Sequence, residues 1–388
     1  MNQPELVTPC LLLDPDRMNA NIDRMASHLD RLGVALRPHV KTAKNVEIGR
    51  RLITGQPGGI TVSTLAEADH FFRHGFDDIL YAVGIAPGKL PAVARRIRQG
   101  MKLTLILDHP DTAHCLARAA DEHRMSFDVL LEVDADEHRA GFRPDDPALL
   151  ETARLLDRGD CRVGGVLVHA GGSYDCSETD GIRKMAERER DAALEAARAL
   201  RENGFPAPVT SIGSTPTATF AEDLSGITEV RAGVHVFQDL VQAGLGVCAI
   251  EDIAVSVLTE VIGHRAREGQ AIVDAGWMAL SRDRGTADQA VDQGYGLICD
   301  ESGTVIDDTI VIATNQEHGI VGHRDGHPLD LAEFPIGRRL RVLPNHACAT
   351  SAQHDGYWVV DGRQIPERWL QRCRGWTQLQ AVTGEPKQ

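Results

Sequence analysis

The stretch Leu36-Arg37-Pro38-His39-Val40-Lys41 decides the fold. It reads as a short strand ending in a lysine, and it is the first of eight apolar runs separated by amphipathic segments. The other seven are residues 59–64, 78–83, 102–108, 127–134, 162–170, 208–214 and 228–233. Between them, residues 46–55, 65–75, 89–100 and 178–204 repeat apolar side chains three or four apart among charges, which predicts helices. Strands alternating with helices predict parallel β/α units, and eight units predict a (β/α)8 TIM-type barrel of the α/β class. Such barrels carry their chemistry at the carboxyl ends of strands, where Lys41, Asp134, His169, Ser214 and Arg231 fall. A lysine there can supply an imine-forming amine; without the barrel it would read as an ordinary solvated lysine.

The chain has 388 residues, more than the roughly 250 of a plain barrel, so a second domain is expected. The barrel pattern stops near Gly246. From Glu251 the sequence turns β-rich, in residues 254–262, 270–275, 309–314, 339–343 and 357–360, separated by Gly- and Asp-containing turns. The expected division is a barrel over 8–248 and a smaller C-terminal β domain over 249–388, which residues 1–7 can join. No low-complexity linker separates the halves, so a shared interface is expected.

A formal net charge of −15, with the acids dispersed, disfavours nucleic acid and anionic membrane surfaces and points to small-molecule partners. No apolar run reaches membrane-spanning length, and the N-terminus lacks a basic segment followed by an apolar one. A soluble cytoplasmic protein is therefore expected. The eight cysteines are scattered, which argues for reduced thiols. Cys10, Cys115, Cys161 and Cys248 read as core or half-buried residues.

Cys348 differs, because it lies in Pro344-Asn345-His346-Ala347-Cys348-Ala349-Thr350, directly after the predicted strand 339–343. In extended chain, residues two apart share a side, so His346 and Cys348 could grip one divalent metal ion. A polar turn with a buried thiol is the plainer reading. The nitrogen and sulfur donors favour Zn2+, with Mn2+ or Mg2+ as alternatives, and two protein ligands leave positions open for water and substrate. A third group is Ser211-Ile212-Gly213-Ser214-Thr215-Pro216-Thr217, at the end of the seventh strand. Barrels bind phosphate on the loops after strands seven and eight, so Gly213, Ser214 and Thr215 could hold one, joined by Arg231, Gly233 and Val234. An ordinary turn and helix cap would use the same residues.

An imine-forming lysine, a phosphate loop and a nearby arginine together describe pyridoxal 5′-phosphate held in a barrel. The sequence resembles the D-serine dehydratase, D-threo-3-hydroxyaspartate dehydratase and D-threonine aldolase family, fold-type III enzymes with an alanine-racemase-like barrel. The matching stretches are Thr8-Pro9 with residues 12–14, then 37–41, 169–174, 211–217, 229–239, 274–276, 317–319 and 344–350. The resemblance implies that Lys41 forms the Schiff base and that Gly213, Ser214, Thr215, Gly233 and Val234 contact the cofactor phosphate. It also implies that Arg231 and Tyr174 lie near the cofactor ring and that His346 and Cys348 hold the metal. His169 falls at the same strand end, as a catalytic group or a supporting one.

The resemblance implies a lyase for β-hydroxy-D-amino acids. His-x-Cys and the loop Ser-Ile-Gly-Ser-Thr-Pro-Thr resemble the dehydratase branch, whereas His354-Asp355 resembles a pair found in aldolases. The dehydratase is preferred, with D-threonine aldolase as the alternative. An amino-acid racemase or a non-catalytic cofactor carrier would share Lys41 but not need His346 and Cys348. Arg139, Arg282 and Arg284 could recognise a second carboxylate, although surface or structural roles are the plainer reading. Related enzymes are dimers, which implies a homodimer.

Overall fold

The computed structural model describes residues 6–360 and 366–376, with backbone alone for 366–369. After β1 (Cys10–Leu13) and α1 (Pro15–Arg31), the chain winds through β2 (Ala35–Leu36), α2 (Val46–Ile53), β3 (Ile60–Val62), α3 (Leu65–Phe72), β4 (Asp78–Tyr81) and α4 (Leu90–Arg98). It continues through β5 (Lys102–Leu107), α5 (Pro110–His123), β6 (Asp128–Val133), α6 (Pro147–Arg158), β7 (Arg162–Val168), α7 (Thr179–Glu202), β8 (Val209–Ile212), α8 (Thr215–Phe220) and β9 (Glu229–Val230). Helix starts follow local chemistry. Asp14 accepts two backbone N–H groups and Asp146 one, each ahead of a proline in the first turn of α1 and α6.

Strands β2 to β9 form one parallel sheet in the order β2-β9-β8-β7-β6-β5-β4-β3. The opening stretch closes it. Arg37 and His39 donate N–H bonds to Val230 and Ala232 on one side, while Val40 donates to Thr61 and Thr61 donates to Pro38 on the other. The barrel predicted from the eight runs is therefore present. The regular part of its first strand is only Ala35–Leu36, shorter than the predicted run, because Pro38 brings no N–H to the ladder. Between the strands and the helices around them lies an apolar core that includes Val62, Tyr81, Leu105, Leu131 and Val166, while the alternate strand residues Leu80, Ile106, Leu130 and Leu167 form a smaller cluster of their own.

The second sheet has nine strands: β10 (Val255–Arg265), β11 (Gln270–Val273), β12 (Leu297–Asp300), β13 (Val305–Thr314), β14 (Gly319–His323), β15 (Arg339–Leu343), β16 (Gly356–Val360) and β17 (Pro366–Gln371), with β1 as the ninth. The expected boundary at residue 8 needs correction here. β1 pairs antiparallel with Val255–Leu258 and parallel with Trp358 and Val359, so the N-terminal strand belongs to the β sheet and the chain enters the barrel only with α1. Its four residues Cys10 to Leu13 are all buried, which a lone strand on the barrel exterior would not achieve. Among the described residues no helix is long and apolar enough to cross a membrane. All eight cysteines are unpaired.

Candidate active site

The carboxyl ends of the barrel strands and the β-domain residues Asp283, Gly285, His346 and Cys348 enclose a cavity of about 510 Å3. Lys41, His169, Tyr174, Gly213, Ser214, Thr215, Arg231, Gly233, Val234, His346 and Cys348 all line it, so the residues singled out in the sequence meet in one place. Asp134 does not line it. Its carboxylate accepts the N–H groups of Asp136 and Glu137 and shapes the loop after β6.

The phosphate loop is built by packing as much as by donors. Gly213 has φ +139°, and a Cβ there would stand 2.2 Å from the Arg231 carbonyl oxygen, so only glycine lets β8 and β9 approach this closely. Its N–H is given to Glu189. Ser214 caps α8 in a reciprocal box with Thr217, and its hydroxyl also meets Ser173 at 2.9 Å. What faces the cavity unsatisfied is the buried Thr215 hydroxyl, together with the N–H groups of Gly233 and Val234, which donate to nothing among the described residues. These three donors fit a phosphate, and Lys41 stands exposed in the same cavity.

His169 bonds the Gly213 carbonyl through Nδ1 at 2.9 Å, which keeps the proton on that nitrogen and leaves Nε2 as an acceptor. Burial pulls its pKa down to about 3, so the ring is neutral. Arg231 donates to Ser211 Oγ and to the Val168 carbonyl oxygen, and burial lowers it to about 10 against the pull of Glu229, Glu189 and Glu132. Tyr174 sits on the short helix Gly171–Tyr174, hydrogen-bonded to the Thr215 backbone, and burial pushes its hydroxyl up. Sequence reasoning missed His39, which lines the cavity two residues before Lys41. Burial and then the charges of Lys41 and Arg231 hold its pKa well below the usual imidazole range. Its alternation with Lys41 in an extended stretch was the available signal.

The expected geometry of His346 and Cys348 needs revision. β15 ends at Leu343, and His346 is the N-cap of the short helix Ala347–Ser351, with Cys348 in its first turn. Strand alternation therefore does not align them; the helix start does, and the two side chains are hydrogen-bonded. Asp283 holds His346 Nδ1 at 2.7 Å and fixes the ring. Burial opposes charge on both groups, yet their mutual attraction raises His346 to about 11 and lowers the Cys348 thiol. A thiol that ionises more readily than usual, beside an oriented imidazole, suits a divalent ion that takes nitrogen and sulfur donors. Among the described residues no three His, Cys, Asp or Glu side chains converge as a closed cage. His354 and Asp355 lie outside the cavity lining: His354 Nε2 bonds the Ala279 carbonyl, and Asp355 pairs with Arg374. Arg282 stacks on Trp277 and Arg284 pairs with Asp292, whereas Arg139 lines the cavity.

Two family models match this chain: "Alanine racemase, N-terminal domain" over residues 13–240 and "Putative serine dehydratase domain" over residues 254–360. The chain belongs to the alanine-racemase-like D-serine dehydratase family. D-threo-3-hydroxyaspartate dehydratase of Delftia sp. (strain HT23) is 50% identical over 96% of this chain and 98% of its own. D-serine dehydratase of Dictyostelium discoideum is 31% identical over 92% and 94%. A solved structure of a cysteine-to-alanine mutant of D-threo-3-hydroxyaspartate dehydratase, in the metal-free form, superimposes with a TM-score of 0.93 at 49% identity, covering 96% of this chain and 98% of that one. Membership of this family makes the chain a lyase that uses pyridoxal 5′-phosphate.

Proposed function

We propose that this enzyme dehydrates β-hydroxy-D-amino acids, D-threo-3-hydroxyaspartate or D-serine, to a 2-oxo acid and ammonia. The observation that carries the reading is that Lys41 and the hydrogen-bonded pair His346 and Cys348 open onto one cavity. The 50% identical dehydratase supports the same reaction. His354 is spent on a backbone carbonyl, which removes the feature that favoured an aldolase. Imidazole and thiolate together support Zn2+ over Mn2+ or Mg2+.

When bound, the cofactor supplies an electron sink beside the substrate α-carbon and the ion supplies Lewis acidity at the β-hydroxyl. The chain's residues do the rest. Lys41 offers the amine that holds the cofactor and, once released, the base for the α-proton. Thr215, Gly233 and Val234 hold the phosphate, and Arg231 fixes a permanent positive charge on the cavity wall. His169 accepts a hydrogen bond at Nε2 but has no proton there to give. His346 and Cys348 hold the ion, with Asp283 orienting the imidazole. Arg139, whose partner Glu132 is 3.6 Å away, supports recognition of a second carboxylate. We further propose a cytoplasmic homodimer, as the family resemblance and composition suggest; molar mass by light scattering tests the dimer.

The test is product analysis of zinc- and cofactor-loaded protein with D-threo-3-hydroxyaspartate, D-serine and D-threonine. Equal ammonia and 2-oxo acid are expected. Glycine with an aldehyde would overturn the reading in favour of the aldolase.

A further inference from the structure

Thr42 follows the cofactor lysine in sequence and is fully buried. Its hydroxyl lies 3.0 Å from Cys348 Sγ. A metal-binding sulfur is a thiolate without a proton, so the hydroxyl must be the donor. The same oxygen lies beneath the phosphate cup: a Cβ built on Gly233 would stand 3.4 Å from it. The turn that carries Thr42 is held firmly from the β domain. Arg372, buried and stacked over the Tyr357 ring, donates to the carbonyl oxygens of Thr42 and Ala43 and to that of Ser351 at the end of the ligand helix. The Tyr357 hydroxyl donates to Ala43 at 2.8 Å. One turn is thus bound to the barrel through Lys41 and to the β domain through four side-chain hydrogen bonds, of which the Thr42 contact reaches the metal helix directly, while Arg372 links the turn to that helix through Ser351.

We propose that Thr42 is a positioning residue that ties the cofactor lysine to the metal sulfur, its hydroxyl orienting the Cys348 thiolate while its backbone fixes where Lys41 stands. This rests on the reading of His346 and Cys348 as metal ligands. Such partners of a ligand set its orientation and its electron density, and losing one costs about 10- to 100-fold in metal affinity. Without the O–H bond, the sulfur lone pair also rises in energy.

The test uses full-length, cofactor-loaded protein stripped of metal and titrated with Co2+ and with Zn2+. The variants are Thr42→Val, Thr42→Ser and Cys348→Ala. Cys348→Ala should lose the sulfur-to-cobalt charge-transfer band. Thr42→Val should keep that band but move it to longer wavelength and weaken both ions by about tenfold or more. Thr42→Ser should match the unaltered protein, and all variants should keep the lysine imine absorption. If the valine variant misfolds, Thr42→Ala against Thr42→Ser carries the same contrast. An unshifted band with unchanged affinity in Thr42→Val, while Cys348→Ala loses the band, overturns the Thr42 role alone. An unchanged band in Cys348→Ala instead removes the metal reading and the proposal with it.

Discussion

Glu189 of α7 is fully buried and touches no substrate, yet its removal should dismantle the phosphate loop. Its carboxylate accepts the Thr217 hydroxyl at 2.7 Å, the Ala170 N–H at 2.9 Å and the Gly213 N–H at 3.0 Å. It therefore ties the ends of β7 and β8 to the cap of α8. Glu189→Ala leaves three buried donors unpaired at about 1–3 kcal/mol each, so a loss of roughly 3–9 kcal/mol is expected. That is a large share of the roughly 5–15 kcal/mol that holds a typical domain together. Glu189→Gln should cost only about 1 kcal/mol. Both N–H bonds fall on one oxygen, Oε1, and the Thr217 hydroxyl can turn towards the Ser214 carbonyl, 3.4 Å away. Burial raises the Glu189 pKa against these three hydrogen bonds and Arg231. The folded protein then binds this proton more tightly than the unfolded chain, a contribution complete below 4.5 and lost as pH rises through the folded value. The stability advantage of the unaltered protein over Glu189→Gln should therefore shrink as pH rises above 4.5. Urea unfolding of the apo-protein followed by tryptophan fluorescence measures both, and spectrophotometric titration gives cofactor affinity. If Glu189→Ala lost less than about 1 kcal/mol, or bound cofactor as well as Glu189→Gln, the carboxylate would not be organising the loop.

Lys41→Ala should bind cofactor without the visible imine band, and a retained band would place the imine on another amine. Arg139→Gln should raise KM for 3-hydroxyaspartate by about 10- to 100-fold while changing that for D-serine little, because one charged hydrogen bond is lost with the second carboxylate; equal effects on both substrates would count against that role. His235 is buried with neither ring nitrogen partnered among the described residues, and burial lowers its pKa to about 4. His235→Leu should therefore gain about 1–2 kcal/mol in urea unfolding. The gain should grow as pH falls from 6.5 towards 4, where the unfolded histidine takes a proton that the folded one refuses. A variant no more stable than its parent would mean that solvent satisfies the ring.

The barrel was legible because its runs alternate regularly with helices, and the first stretch carries both the closing pairings and the lysine. The β domain was half legible. Leu297–Asp300 and Gly319–His323 escaped, the first being four residues long and the second carrying two glycines. β1 was invisible as a member of that sheet, because its partners at Val255–Leu258 and Trp358-Val359 lie at the far end of the chain. Chemistry-bearing residues stood out in sequence since nothing local explains a lysine, a histidine or a cysteine at a strand end. The residues that hold them in place look ordinary: a threonine after a lysine, an aspartate between Arg282 and Arg284, a glutamate in a long amphipathic helix.

Glu189 nevertheless left a trace. It sits on the buried stripe of α7 with Ile182, Ala186, Ala193, Ala196 and Leu200, where a solvated glutamate would not belong. A charge on an apolar stripe must be neutralised, bonded or functional, because burying it without partners costs far more than the helix can return. The same test identifies Thr42 only after folding, since it breaks no local pattern and acts on a ligand far away in sequence. The groups that react are thus marked by residue type, and the groups that aim them are marked by burial. Sequence reading reaches the second kind only where a helix or strand pattern already reports which face is inside.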